Sequence, residues 1–398
     1  MDDMQDKTMD MTVDENIVSD DPPEQDIESA AEAMNREDNL PEKPKPKKKW
    51  VKRLGIILFV LINAAVIYFT AFKEFTKESP APMQPFTFTN ILFLAGGVLC
   101  LAVVLGCETV KYLLMMRHLG EKVSVRHAFS TAALGKYYDC ITPSGAGGQP
   151  FQIYYLHSKG YTGGAASAMP LSGFCTMQFG FTTLAFLMFI FFNDAITEPA
   201  LKITAYIGAL TYLIAPVMIV ISGVAPKLSM RIITFFVKLG VTLHIVKNPN
   251  RVRMSGFKMI HNYSVNLKKI TKSKKLFIQL MLLSLLFQTA ISSIPFFVIH
   301  TMGGEIGFFK ALAMTVFIQA VVCLVPTPGN SGAAEASFYL VFSALGTAGT
   351  FWAMLIWRLL CYYSFIIIGV LIYGYNALTN VIQKAKLKKT NPPPEPTE

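Results

Sequence analysis

The 398-residue chain is 52% hydrophobic and only 16% charged, with 36 Lys and Arg against 26 Asp and Glu. Its apolar residues collect into runs near or above the ~20 that cross a ~30 Å hydrocarbon core, which excludes an ordinary soluble domain. The net charge of +10 does not point to nucleic acid, because the basic residues flank apolar runs instead of forming a folded basic face.

Residues 1–42 hold 15 of the 26 acidic residues, two basic ones and few aromatic or branched apolar side chains. Such a segment cannot bury enough apolar surface to fold and is expected to be a disordered cytoplasmic tail. It lacks the basic start and apolar stretch of a signal peptide. Residues 43–383 form the expected membrane domain, and 384–398 a basic, Pro-rich cytoplasmic tail. Six apolar segments, at about 51–72, 89–111, 163–192, 200–222, 275–299 and 348–377, are each long enough to cross as a helix. The fold class expected is therefore all-α: a polytopic membrane protein with about six spanning helices.

Lys and Arg favour the cytoplasmic side of spans. By that rule the stretches Lys43 to Arg53, Lys111 to Arg126, Lys227 to Lys275 and Lys384 to Lys389 lie inside. The loop near Glu74 to Pro85, the turn with Asp194 and Glu198, and Thr301 to Gly304 lie outside, which leaves both termini cytoplasmic. Within the basic segment 225–275, Leu228 to Ile270 mixes Ile232, Phe235 and Phe236 with Lys and Arg. It reads as an amphipathic helix along the inner leaflet, with a solvated loop equally good for its second half.

Residues 124–160 and 305–347 each contain an apolar limb, a Gly/Pro-rich break and a second short limb. Limbs too short to cross alone suggest two re-entrant hairpins, although a tilted crossing pair preserves the same loop orientation. Thr142-Pro143 in the first break and Thr327-Pro328 in the second lie 185 residues apart. The same offset carries 163–192 onto 348–377 and 89–111 onto 274–296, close to the fifth span. Loop signs place the hairpins on opposite sides, so the two units form an inverted repeat, an architecture of transporters.

The first break runs from Tyr137 through Asp139, Thr142, Pro143, Gly145, Gly147 and Gly148 to Gln149 and Pro150. Glycine turns and helix ends leave amides that can hold an anion, and small residues equally serve close helix packing. The second break, Pro326 to Glu335, contains Pro328, Gly329, Asn330 and Gly332 and sets a carboxylate at the start of its second limb. Glu335 could cap that limb, but an ionisable group at membrane depth costs ~2.5–3.5 kcal/mol by insertion scales and usually marks a pathway. Arg358 sits about ten residues, or ~15 Å, into the last span, too deep to snorkel. It needs an anion: Glu335, Asp139 or a lipid phosphate held by the planar guanidinium. Glu108 and Lys136 are weaker candidates if they lie at the inner interface. Gln149, Gln152, Tyr154 and Tyr155 could line a polar groove, and a headgroup-level aromatic belt explains the tyrosines as well. The six cysteines and six histidines show no metal or redox spacing, so no cofactor and no metal are expected.

The stretches DCITPSGAGGQPFQIYYL (Asp139 to Leu156) and PTPGNSGAAEASF (Pro326 to Phe338), followed by Arg358, resemble the lysylphosphatidylglycerol synthase/flippase membrane-domain family over roughly 50–380. The resemblance implies translocation of anionic or lysyl-phosphatidylglycerol-like phospholipid between leaflets of a bacterial cytoplasmic membrane, often tied to resistance to cationic antimicrobial peptides. It implies that Asp139, the Gly145 to Gly148 turn, Glu335 and Arg358 lie around the headgroup path. Gln149 and Gln152 stand where many relatives carry an acid and an arginine, a departure that bears on the headgroup chemistry. Full-length lysyltransferases of the family add a soluble domain for which this chain has no room, so transferase activity is not expected. Partners implied are membrane phospholipids, with a homo-oligomer left open. A lipid-modifying enzyme and an ion-coupled carrier of a small soluble anion stand as alternatives.

Overall fold

The structure, a computed structural model, describes residues 68, 87–142, 145, 147–195, 199–224, 234, 263–325, 327, 329–343 and 349–376. The acidic tail, the expected span at 51–72 except residue 68, most of the 225–275 segment and the C-terminal tail lie outside the described residues, as do Pro143 and Pro328.

Every described element is helical. Helix α1 (Phe88–His118) is followed by α2 (Val125–Ile141), α3 (Gly148–Ser158), α4 (Gly163–Phe191) and α5 (Pro199–Val224). After a helical stretch at 263–272 come α6 (Lys274–Thr301), α7 (Phe308–Val322), α8 (Ala333–Ser343) and α9 (Thr350–Asn376). Five of them, α1, α4, α5, α6 and α9, are long and apolar enough to cross a membrane. Their ends follow from the sequence. The hydroxyls of Thr87, Ser124, Thr162 and Ser273 accept from the first-turn amides of α1, α2, α4 and α6, which satisfies donors that a helix start leaves open.

α1 runs seven residues beyond the apolar run that identifies it, because Glu108 and Lys111 do not end the helix. Both are buried inside it. The stretch 263–272 buries Tyr263, Leu267 and Ile270 in a cluster with Tyr112, Met115 and Met116 of α1 and Leu276 and Leu280 of α6. The described end of the basic segment therefore packs on protein.

α6 lies against both α1 and α4. The α4 contact is close: a Cβ on Gly180 would stand 3.0 Å from the Ser284 carbonyl carbon of α6, so only glycine fits without a shift. α5 makes a similar approach to α7, where Gly208 faces the backbone of Ala320. Small residues at such crossings let apolar helices approach to van der Waals contact, which drives association where water does not.

The offset of 185 residues recurs in three dimensions. It carries α3 onto α8 without the shift of a residue, since both contain 11 residues and start at 148 and 333. The preceding breaks share one turn: Gly145 N–H donates to Thr142 O at 3.2 Å, and Asn330 N–H to Thr327 O at 3.0 Å. The donor is left-handed in both, with φ of 63° at Gly145 and 53° at Asn330. α1, α2 and α4 map near α6, α7 and α9, so the described core is two four-helix units joined by α5 and the segment after it.

Candidate functional site

Both second limbs begin with a carboxylate on a backbone amide. In the first unit, Asp139 on the last turn of α2 accepts through Oδ1 from Gly148 N–H of α3 at 3.1 Å. Thr142 Oγ1 takes the neighbouring Gly147 N–H at 2.9 Å. In the second unit, Glu335 Oε2 accepts from Gly332 N–H at 2.7 Å. A negative group at a helix start is favoured by the dipole and the open amides together. The first-break glycine amides expected to be open to an anion are thus already engaged at Gly147 and Gly148, and that of Gly332 likewise donates to a carboxylate. Glycine is required at 148 because a Cβ there would strike the Asp139 carboxylate and stand 2.9 Å from Gly135 O.

Of its three candidate partners, Arg358 pairs with Glu335: Nε lies 2.7 Å from Oε1, and both side chains are more than nine-tenths buried. The N–H is not aimed at that oxygen, so the contact is ionic and not an aligned hydrogen bond. Among the described residues, the far nitrogen, Nη2, is buried with no acceptor, and Oδ1 of Asn330 in the adjacent break is buried with no donor. The guanidinium sits 5.2 Å from the Trp357 ring and 5.1 Å from the Tyr362 ring, an arrangement that holds its plane by cation–π attraction. Arg358 is followed by a π-helical turn, Leu359–Tyr363. One-turn π segments inside α-helices often accompany functional sites.

Tyr362 joins the two breaks. Its hydroxyl donates to Cys140 O, at the end of α2, at 3.3 Å, and it hydrogen-bonds the side chain of Ser331 in the second break. Its ring lies against Gly329, where an added Cβ would clash with the ring and stand 2.8 Å from Cys140 O. The tips of the two helix–break–helix pairs therefore meet, with Asp139 on one side and Glu335 and Arg358 on the other.

A second group of charges lies beside Asp139. Lys136 Nζ is 3.6 Å from Asp139 Oδ2 and 4.9 Å from the centre of the Phe287 ring. Towards the same ring, at 6.0 Å, is Lys111 Nζ, which is sealed from solvent and bound to Glu108 Oε1 at 2.6 Å, Ser284 Oγ at 3.2 Å and Gly173 O at 3.4 Å. Glu108 is thus the buried partner of Lys111. Lys111 and Tyr362 are the residues that sequence reasoning passed over. The Glu108/Lys111 spacing of i, i+3 was a usable signal, whereas nothing local marks Tyr362.

The other expected site residues divide. Gln152 is buried between the limbs, with Nε2 donating to Thr131 O at 3.2 Å and the side chain against Gly135. Gln149 is half-buried on the first turn of α3. Tyr154 is exposed and Tyr155 buried. Among the described residues no three His, Cys, Asp or Glu side chains come together as a metal site.

The profile described as the Lysylphosphatidylglycerol synthase TM region matches residues 53–369. The chain belongs to this family. Both breaks, the Glu335–Arg358 pair and the Glu108–Lys111 pair fall inside the matched region. With the five apolar helices, membership makes this chain a multi-pass membrane protein. Archaeoglobus fulgidus has a relative described as a UPF0104 membrane protein, 22% identical over 364 residues that cover 84% of this chain and 99% of the relative.

Proposed function

We propose that this member of the lysylphosphatidylglycerol synthase membrane-region family moves a phospholipid with an anionic or lysyl-phosphatidylglycerol-like headgroup between the leaflets of a bacterial cytoplasmic membrane. The observation that carries the reading is the buried Arg358, whose Nη2 has no acceptor among the described residues, where the two breaks meet. A guanidinium donor without an acceptor inside an apolar helix assembly is costly unless a ligand uses it. A phosphate oxygen suits it: planar, charge-assisted and able to share the cation with Glu335.

In this reading both helix–break–helix pairs are re-entrant. Limbs of 11 residues extend ~16 Å, about half of a hydrocarbon core. The units enter from opposite faces and both termini are cytoplasmic, by the distribution of Lys and Arg among the loops. Headgroup passage along the meeting tips spares the phosphate most of its desolvation cost while the acyl chains stay in lipid. A part in resistance to cationic peptides follows if the lipid moved carries positive charge outward.

Fluorescent anionic and lysyl phospholipids in liposomes containing the full chain, scored by headgroup accessibility to an external quencher, test this. Wild type is expected to expose the headgroup quickly. Arg358→Ala and Glu335→Gln are expected to abolish exposure while abundance and membrane insertion persist. Loss of the folded protein in both would make the pair structural. No movement of any lipid by wild type would favour a soluble-anion carrier, tested by substrate competition, or an enzyme, tested by incubation with charged tRNA and phosphatidylglycerol.

A further inference from the structure

Among the described residues, six charged side chains form ion pairs inside the two units: Glu108, Lys111, Lys136 and Asp139 in the first, Glu335 and Arg358 in the second. Three are basic and three acidic, so the set is neutral. An anionic headgroup entering it leaves one uncompensated negative charge in a low-dielectric interior, which is unfavourable unless a positive charge enters as well. The smallest positive charge is a proton, and it goes to the carboxylate held least firmly.

The geometry ranks the three. Glu108 lies 2.6 Å from its ammonium and Glu335 2.7 Å from its guanidinium, each with its side chain more than nine-tenths buried. Asp139 is 3.6 Å from Lys136, and its side chain is 23% exposed. The groups that face Asp139 are Lys136 on its own helix, Glu108 and Tyr112 on α1 with Lys111 behind Glu108, and the Gly148 amide of α3. α4 and α6 bring Met177 and Phe287 against Lys136, and neither titrates.

We infer that Asp139 and Lys136 form a proton-exchange site, and that one proton is taken up there with each anionic headgroup. The proton binds an Asp139 carboxylate oxygen to give the neutral acid. Lys136 stays an ammonium and, released from its partner, turns to the phosphate. The Glu108–Lys111 pair stays ionic and anchors α1 to α4 and α6 through Gly173 O and Ser284 Oγ. Asp139 is linked to the Arg358 side through its neighbour Cys140, whose carbonyl accepts from Tyr362, four residues after Arg358.

The inference rests on the lipid-movement reading, and the test separates the two. Full-length protein is placed in phosphatidylglycerol/phosphatidylcholine vesicles with a fluorescent phosphatidylglycerol, and a gradient of one pH unit is imposed in either direction. Wild type is expected to move the probe faster when protons run with it, by up to about tenfold for one proton per headgroup. In Asp139→Asn the ratio between the two directions is expected to fall to about one, whatever the absolute rate. A measurement that needs no transport accompanies it: infrared difference spectra on acidification should show a protonated-carboxyl band that Asp139→Asn lacks. A wild-type rate indifferent to the gradient overturns proton coupling and leaves lipid movement standing. No movement of any lipid overturns the reading beneath it. A band unchanged in Asp139→Asn removes Asp139 as the proton site.

Discussion

The two units share a backbone and differ in how they hold their charges. At the breaks they agree to a single turn, with the same hydrogen bond and the same left-handed residue 185 positions apart. Arg358 of the second unit corresponds by that offset to Gly173 of the first, whose carbonyl accepts from Lys111. Both units thus bring a cation to the same place on their last helix, one from the helix itself and one from α1. The second unit leaves a guanidinium nitrogen without an acceptor, whereas the first surrounds its sealed ammonium with three oxygens. Repeated architecture constrains where a charge can be placed, and the side chains then decide how each cation is partnered.

The comparison breaks most readily at Lys111. If its pair with Glu108 is structural, Lys111→Met strands a buried carboxylate and should cost about 3–5 kcal/mol. Thermal unfolding of the detergent-purified protein, followed with a thiol-reactive dye on the buried cysteines Cys107, Cys140 and Cys175, would read this as a large drop in midpoint. A midpoint unchanged from wild type would remove the distinction between the units. Next is Gly329→Ala, which combines a left-handed φ of 55° with a clash against Tyr362 and Cys140 O. Strain and overpacking together predict a loss of about 2–4 kcal/mol and separation of the tips, detectable as faster labelling of Cys140.

Smaller effects sharpen the shared turn. Thr142→Val removes the acceptor of Gly147 N–H and should cost about 1–2 kcal/mol, measured in the same unfolding assay. Asn330→Gly relieves a non-glycine left-handed residue and should change stability by no more than about 1 kcal/mol, in the stabilising direction. The opposite substitution at the matching position, Gly145→Ala, should destabilise by about 1–2 kcal/mol. Equal and opposite responses at 145 and 330 would establish that the two turns are energetically, as well as geometrically, equivalent.

Much of the fold was legible because apolar length and helix punctuation are local properties. Five of the six expected spans are described helices with ends within a few residues of expectation, apart from α1, and the sixth lies outside the described residues. α1 departs because hydropathy falls at Glu108 and Lys111 while the helix continues. Those two charges neutralise each other on one face and find Ser284 and Gly173 on other helices, which no window along the chain can register.

The candidate site was legible by residue type and not by partnership. Asp139, Glu335 and Arg358 stand out because ionisable groups are expensive among apolar neighbours. That Arg358 pairs with Glu335, that Asp139 and Glu335 occupy the amides of the glycine turns, and that Gln152 is spent on packing depend on where other helices end.

By itself the sequence determined an all-helical membrane chain, its repeat of 185 residues and the short list of deep charges, since these follow from composition, spacing and the cost of polar groups in lipid. Only the tertiary structure decided which charge meets which, that Tyr362 joins the two breaks, and that one guanidinium nitrogen has no acceptor among the described residues. Contacts such as that between Cys140 and Tyr362, 222 positions apart, arise from the packing of whole helices, and that packing has no signature within any single segment.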